Sequence, residues 1–338
     1  MITDLRSDTF TKPSSEMLSA MMNAHTGDDV FGEDPTVNLL ESMLCGIFGM
    51  EAAVFCPSGT MTNQIAIKCH TQPGEEVICD ASNHIYIYEG GGIAFNSGCQ
   101  VKAIKGERGK ITAGQVKESI NPDDIHRSKT SLVSVENTAN RGGGSCYELS
   151  DLQEIKEVCL QNNLKFHLDG ARLWNALIAK EEDPKMYGEM FDSISVCMSK
   201  GMGAPVGSVL LGNKEFIHKG RRIRKVLGGG MRQAGYLAAA GIYALQNNFQ
   251  RLQEDHTHAK NIAAALIKKP FIGRMLPVET NILIFDVKET ETPASFCNTL
   301  KDNDILCLPI SPTQVRMVTH LDVTPSMVNK LIELIEIM

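Results

Sequence analysis

A lysine, an aspartate and a hydroxyl-flanked glycine each follow a short apolar run in this sequence. Lys200 stands in Ser199-Lys200-Gly201-Met202-Gly203-Ala204-Pro205, after the apolar stretch 194–198. Its glycines and proline force a loop, which points the amine into a cleft mouth. Desolvation there favours the neutral amine that forms Schiff bases; a surface lysine lying over apolar neighbours is the plainer alternative. Asp169 ends the run Phe166-His167-Leu168-Asp169-Gly170-Ala171-Arg172. The carboxyl ends of parallel strands are where α/β proteins bind ligands, although an Asp can also simply turn the chain into a helix. Pro57-Ser58-Gly59-Thr60-Met61-Thr62-Asn63 lies between a strand-like and a helix-like run. Backbone N–H groups, hydroxyls and the helix dipole at such a turn suit a phosphate; an ordinary Ser N-cap would look the same. His84, in Asp80-Ala81-Ser82-Asn83-His84, follows the next strand, where its ring can stack on a cofactor or simply fill a core position. Each signal is weak alone. Together a lysine for an imine, an acid for a pyridinium nitrogen and a helix terminus for a phosphate are the parts that pyridoxal phosphate (PLP) needs.

Those side chains require an alternating frame. Short apolar or β-branched runs flanked by Gly, Asn, Asp or Pro predict strands at 53–56, 77–80, 100–104, 131–136, 165–169, 194–199 and 208–212. Helical spacing predicts helices at 36–48, 171–179 and 151–162, the last with Ser150 and Gln153 as a capping box. Strands alternating with helices predict an α/β fold with a mainly parallel, seven-stranded sheet covered on both faces. From Tyr236 the texture changes. An Ala-rich stretch to Lys269 predicts one or two long helices. Strands at 281–287, 305–308 and 315–318 and helices at 293–301 and 325–337 then form a smaller α+β unit. The expected division is 1–245, including an N-terminal segment 1–15, and 246–338. Arg141-Gly142-Gly143-Gly144 reads as a flexible loop, since no GxGxxG is present.

Composition narrows the classes. The 338 residues suit two domains, and 43% hydrophobic with 22% charged residues is globular usage. A net charge of −7 gives no basic field for nucleic acid or anionic membrane. The ten cysteines include no CxxC, so neither a zinc ribbon nor a redox dithiol is supported, and no metal is expected. They read as small buried hydrophobes of a reduced cytosol with no part in the chemistry. The N-terminus shows no signal-peptide pattern, and no apolar run has the length of a membrane span.

Further motifs follow one another along almost the whole chain. Asp4-Leu5-Arg6-Ser7-Asp8-Thr9 opens it, and Asp29-Val30-Phe31-Gly32-Glu33-Asp34-Pro35-Thr36 comes next. The Ser58-Gly59-Thr60, Ser82-Asn83-His84-Ile85, Leu168-to-Arg172 and Ser199-Lys200-Gly201 motifs are in order between them and two late runs. These are Leu227-Gly228-Gly229-Gly230-Met231-Arg232-Gln233-Ala234-Gly235 and Val315-Arg316-Met317-Val318-Thr319-His320. In this the chain resembles the threonine aldolases, low-specificity and L-allo forms, of PLP fold type I. The resemblance implies that Lys200 holds PLP as a Schiff base, that Asp169 keeps the ring nitrogen protonated and that His84 stacks on the ring. It places Ser58, Gly59 and Thr60 at the phosphate, with Ser199 and Arg172 also on the cofactor. Ser7, His84, Arg172 and Arg316 would meet the substrate, the arginines because their planar fork binds a carboxylate bidentately. Arg232 would reach a phosphate in a neighbouring subunit of a homo-oligomer, a tetramer with a dimer as minimum. The implied reaction is cleavage of threonine or allo-threonine to glycine and acetaldehyde; the alternative is a β-eliminating lyase or aminotransferase on the same fold. Two positions depart from the pattern. Ala139 stands where histidine is usual near the substrate hydroxyl, and Phe31 where tyrosine is common.

Overall fold

The computed structural model describes residues 2–288 and 291–338. The chain enters through β1 (Thr3–Asp4). It then builds one sheet from β2 (Ala52–Cys56), β3 (Glu76–Asp80), β4 (Gln100–Ile104), β5 (Thr130–Glu136), β6 (Lys165–Gly170), β7 (Ser193–Cys197) and β8 (Ser208–Gly212). The strand order is β2-β8-β7-β6-β5-β3-β4. β4, β3, β5, β6 and β7 pair in parallel, and β8 is antiparallel to both its neighbours. β2 therefore runs the same way as β7. The carboxyl ends of β2, β3, β5, β6 and β7 all open on one edge of the sheet. β3, β5, β7 and β8 are buried along their full length, as a sheet with helices on both faces demands.

The expected strands and helices stand close to their predicted bounds, and two differences have local causes. The helix expected at 151–162 runs Leu149–Gln161, because the Glu148 carbonyl accepts from Asp151 and Leu152; Ser150 falls inside its first turn and caps nothing. The helix expected at 171–179 begins at Leu173, after Asp169 Oδ1 accepts from the Ala171 amide and turns the chain. The long helical stretch is two helices, Gly235–Asn247 and Leu252–Leu266, within the one or two expected; between them Asn248 Nδ2 donates to the Met202 carbonyl.

The smaller unit is an antiparallel sheet of β9 (Ile272–Met275), β10 (Ile282–Val287), β12 (Leu308–Pro309) and β13 (Gln314–Val318), ordered β12-β13-β10-β9, with β11 (Ile305–Leu306) outside it. The edge strand β9 has no counterpart in the sequence reading, since Gly273 and Arg274 interrupt any alternation. Helices Pro293–Lys301 and Pro325–Ile337 have the expected bounds. The main core runs on to Leu252, and the small core starts at Ala259. Only the start of the N-terminal segment joins the small unit, β1 pairing in parallel with β11 and Leu5 fully buried in the small core, while Asp8 packs on Arg172 of the large unit.

The glycines after Arg141 are buried rather than flexible. Gly144 has φ +69°, a Cβ there would lie 2.3 Å from Thr280 Oγ1, and that hydroxyl donates to the Gly144 carbonyl at 2.9 Å. The turn thus packs the large unit directly on the small one. All ten cysteines are free thiols. No helix among the described residues is long and apolar enough to cross a membrane.

Candidate active site

Ser58 caps the helix Gly59–His70, its Oγ accepting from the Met61 amide at 3.2 Å. This leaves the Gly59 and Thr60 amides at the first two helical positions, where N–H groups have no acceptor within the helix. A side chain at residue 59 is forbidden by close approach: a Cβ would lie 2.5 Å from Cys197 Sγ. The same sulfur lies 3.4 Å from Lys200 Nζ. The helix N-terminus and the lysine therefore meet across Cys197, at the ends of β2 and β7. Lys200 and Ser199 are both half-buried.

Asp169, 1% exposed, faces the same edge from β6. Its Oδ2 accepts from Asn63 Nδ2 at 2.9 Å. Asn63 lies one turn into the phosphate-side helix and also donates to Glu89 Oε1 at 2.9 Å. Glu89 is buried, accepts from Gln64 Nε2, and lies 2.9 Å from His84 Nδ1. His84 Nε2 has no hydrogen-bond partner among the described residues. Burial disfavours the charged imidazole, but the Glu89 hydrogen bond and the charges of Asp169, Glu89 and Glu136 outweigh it and raise the His84 pKa above its ordinary value. Glu136 ends β5 and accepts from the His84 and Asn140 amides; burial and the Asp169 charge push its carboxyl up. One ligand atom from each of His84, Glu89 and Asp169 lies within 4.8 Å of the others. That spacing would suit an ion, but the Asn63 amide bridges both carboxylates, and the group reads as a hydrogen-bond network.

The carboxylate-binding candidates have different surroundings. Arg172 is 5% exposed and doubly hydrogen-bonded to buried Asp8, through Nε at 2.8 Å and Nη2 at 2.7 Å. Burial opposes ionisation of Asp8, yet Arg172 and Lys200 hold its carboxyl at about 2. Ser7 accepts from the Thr9 amide and hydroxyl and lies beside Asp8. Arg316 stands on β13 of the small unit. Its Nη1 donates to Asn140 Oδ1 at 2.9 Å and its Nη2 to the Arg6 carbonyl at 3.1 Å, while buried Nε has no partner. It has no carboxylate partner among the described residues, and burial and Arg172 push its pKa below the ordinary arginine value. A half-buried guanidinium without a counter-charge is prepared for an anion.

Three residues lie apart from this cluster or bring it no polar group. Arg232 is exposed and pairs with Asp28 at 2.9 Å. Phe31 is 74% exposed, on a concave face it shares with His218, Arg221 and Lys225. Ala139 is buried, with its methyl against Gly109.

Sequence reasoning missed Asn63, Glu89, Glu136, Asp8 and Cys197. Asn63 and Asp8 lay inside quoted motifs without a role. Glu89 offered only its place five residues past His84. Cys197 read as filler, since nothing in the sequence shows that it separates Gly59 from Lys200.

The arrangement fits PLP on its own evidence: a cradle that a Cβ would fill, two free helix amides, an amine beside them, a buried carboxylate and an unpaired cation. The β-eliminating lyase family matches residues 4–290. The low-specificity L-threonine aldolase of Escherichia coli (strain K12) is 44% identical over 322 residues, covering 95% of this chain and 94% of that protein. Low-specificity L-threonine aldolase 1 of Arabidopsis thaliana is 40% identical over 330 residues, with 96% and 92% covered. A solved structure of a Leishmania major threonine aldolase superposes with a TM-score of 0.87 at 22% identity, covering 99% of this chain and 98% of that one, a likeness of fold.

Proposed function

The chain belongs to the β-eliminating lyase family, among the threonine aldolases, and on that premise we propose that it cleaves L-threonine and L-allo-threonine to glycine and acetaldehyde. The observation that carries the reading is Arg316, without a carboxylate partner among the described residues, reaching from β13 to Asn140 just past the end of β5, on the edge that carries Lys200, Asp169 and His84. An α-amino acid supplies the missing carboxylate.

Pyridoxal 5′-phosphate is the cofactor, and when bound it supplies the electron sink for the pair released as the Cα–Cβ bond breaks. Lys200 Nζ would hold it as a Schiff base, Asp169 would face its ring nitrogen, and Ser58, Gly59 and Thr60 would take its phosphate. Ser199 and the Asp8-bound Arg172 border this space.

Arg316 binds and orients the substrate carboxylate, with Ser7 close to Asp8 on the adjoining segment. Glu89 holds His84 by Nδ1. Nε2 is then the atom that takes the β-hydroxyl proton, directly or through one water. Ala139 offers no polar atom for that step. With no second imidazole at the hydroxyl, both configurations at Cβ are accepted. The exposed Phe31 and the displaced Arg232 fit a homo-oligomer, a tetramer built on dimers, in which Arg232 serves a neighbour's phosphate. We place the enzyme in the cytoplasm, in keeping with ten free thiols.

The test is acetaldehyde formation, followed by alcohol dehydrogenase and NADH, from each isomer separately. Both isomers are expected to give aldehyde with matching glycine, and Ala139→His to shift the isomer ratio. Aldehyde from neither isomer would overturn the reading.

A further inference from the structure

Two thiols lie in contact within the small unit. Cys297 sits in the helix Pro293–Lys301, and Cys307 fills the single residue between β11 and β12. Their sulfurs are 3.3 Å apart, the Cys307 thiol donating to Cys297. The helix is pinned in place: Thr292 and Ser295 form a capping box, and Phe296 and Leu300 are fully buried in the small core. Neither sulfur needs its element to move to stay within reach of the other. Cys297 is half-buried and Cys307 is 8% exposed.

We propose that Cys297 and Cys307 are a redox-active dithiol, converted by small-molecule disulfides to an intramolecular bridge. The order of attack follows from the surroundings. The Cys307 hydrogen bond holds the Cys297 thiol below its ordinary value, and Cys297 also meets solvent. The same contact and burial push Cys307 up. Cys297 is thus the attacking thiolate and Cys307 the resolving thiol. Cys297 Sγ attacks one sulfur of the external disulfide, breaking its S–S bond and releasing one thiol. Cys307 Sγ then attacks Cys297 Sγ, forming the internal bond and releasing the second. Two protein thiols are oxidised, one external disulfide is reduced, and the two thiol protons leave on the two released thiols.

Among the described residues no other two cysteine thiols share a hydrogen bond. Cys45 and Cys69 are half-buried as well, but burial raises both. Leu308, next to Cys307, pairs with Arg316 across β12 and β13, so the bridge abuts the strand that carries the proposed carboxylate ligand. The dithiol itself does not depend on the catalytic reading.

The test incubates native protein with glutathione disulfide, blocks free thiols under denaturing conditions and maps tryptic peptides without reduction. Cleavage at Lys288, Lys301 and Arg316 puts the two cysteines on separate peptides, 289–301 and 302–316. The expected result is those two peptides joined, with two of the ten thiols lost to blocking. Cys307→Ser, which keeps a hydrogen-bond donor toward Cys297 but no resolving sulfur, should instead keep Cys297 as a stable glutathione adduct. Recovery of both cysteines as blocked free thiols or as separate glutathione adducts in the unmutated protein would overturn the proposal. So would a Cys307→Ser protein whose Cys297 takes no glutathione.

Discussion

Asp8 and Arg172 show how much the site depends on a pair far apart in sequence. Both are buried, and the guanidinium makes two hydrogen bonds to the carboxylate. Asp8→Asn would leave a buried arginine without its counter-charge, and should cost ~3–5 kcal/mol of stability at neutral pH. The native carboxyl sits at about 2, below its reference of 3.8. The stability it adds is therefore complete above pH ~4 and lost as pH falls through ~2. Urea melts of the two proteins should show a gap that narrows over that window; a gap independent of pH would contradict the pairing. At His84 the carboxylates act in the other direction. Its raised pKa keeps the proton on the ring to higher pH, so the acidic limb of kcat/KM should lie above the reference 6.5. Glu89→Gln removes a charge and a strong acceptor and should move that limb down, which a pH–rate profile reads directly. Lys200, Asp169 and Arg316 were legible because each stands at a strand end or in a strand with a distinctive run around it. Glu89 and Asn63 were not, because their part comes from side chains meeting between a helix and a single turn.

Elements set these atoms in place through close approach: the helix Gly59–His70 lies against β7, where Gly59 meets Cys197 Sγ. Gly59→Ala forces the helix terminus or the sulfur aside. Overpacking of that kind costs ~1–3 kcal/mol and should weaken PLP binding roughly 5- to 150-fold. Cys197→Ala in the same background should restore much of the affinity, since it removes the atom in the way; titration of PLP by absorbance compares the three proteins. No recovery would place the glycine requirement elsewhere. The strands of the large sheet were legible because apolar runs bounded by turn residues have few other uses. Helix starts were less so. Ser150 carried the capping pattern, but the Glu148 carbonyl starts the helix two residues earlier. The edge strand β9 escaped for lack of alternation, and the buried Arg141–glycine turn escaped because composition cannot tell a packed glycine from a mobile one.

At the scale of the molecule, the N-terminal segment ties the two units together. Thr3 and Asp4 pair with β11, Leu5 fills the small core, and the Arg6 carbonyl accepts from Arg316 before Asp8 reaches Arg172 in the large unit. The sequence suggested two units and put the segment with the larger. Its strand is too short to announce a partner some 300 residues away. Leu5→Ala should cost ~2–5 kcal/mol by emptying part of the small core, seen as a lowered thermal midpoint; an unchanged midpoint would mean the segment is not anchored there. The central claim, that the cleft edge around Lys200 holds the cofactor and runs the cleavage, is tested most directly by borohydride reduction of the holoenzyme followed by tryptic mapping. The account predicts a pyridoxyl group on Lys200, which blocks cleavage there and yields a single modified peptide spanning 186–214, with aldehyde production from threonine lost in step. A label on any other lysine, or full labelling of Lys200 with cleavage activity intact, would contradict it.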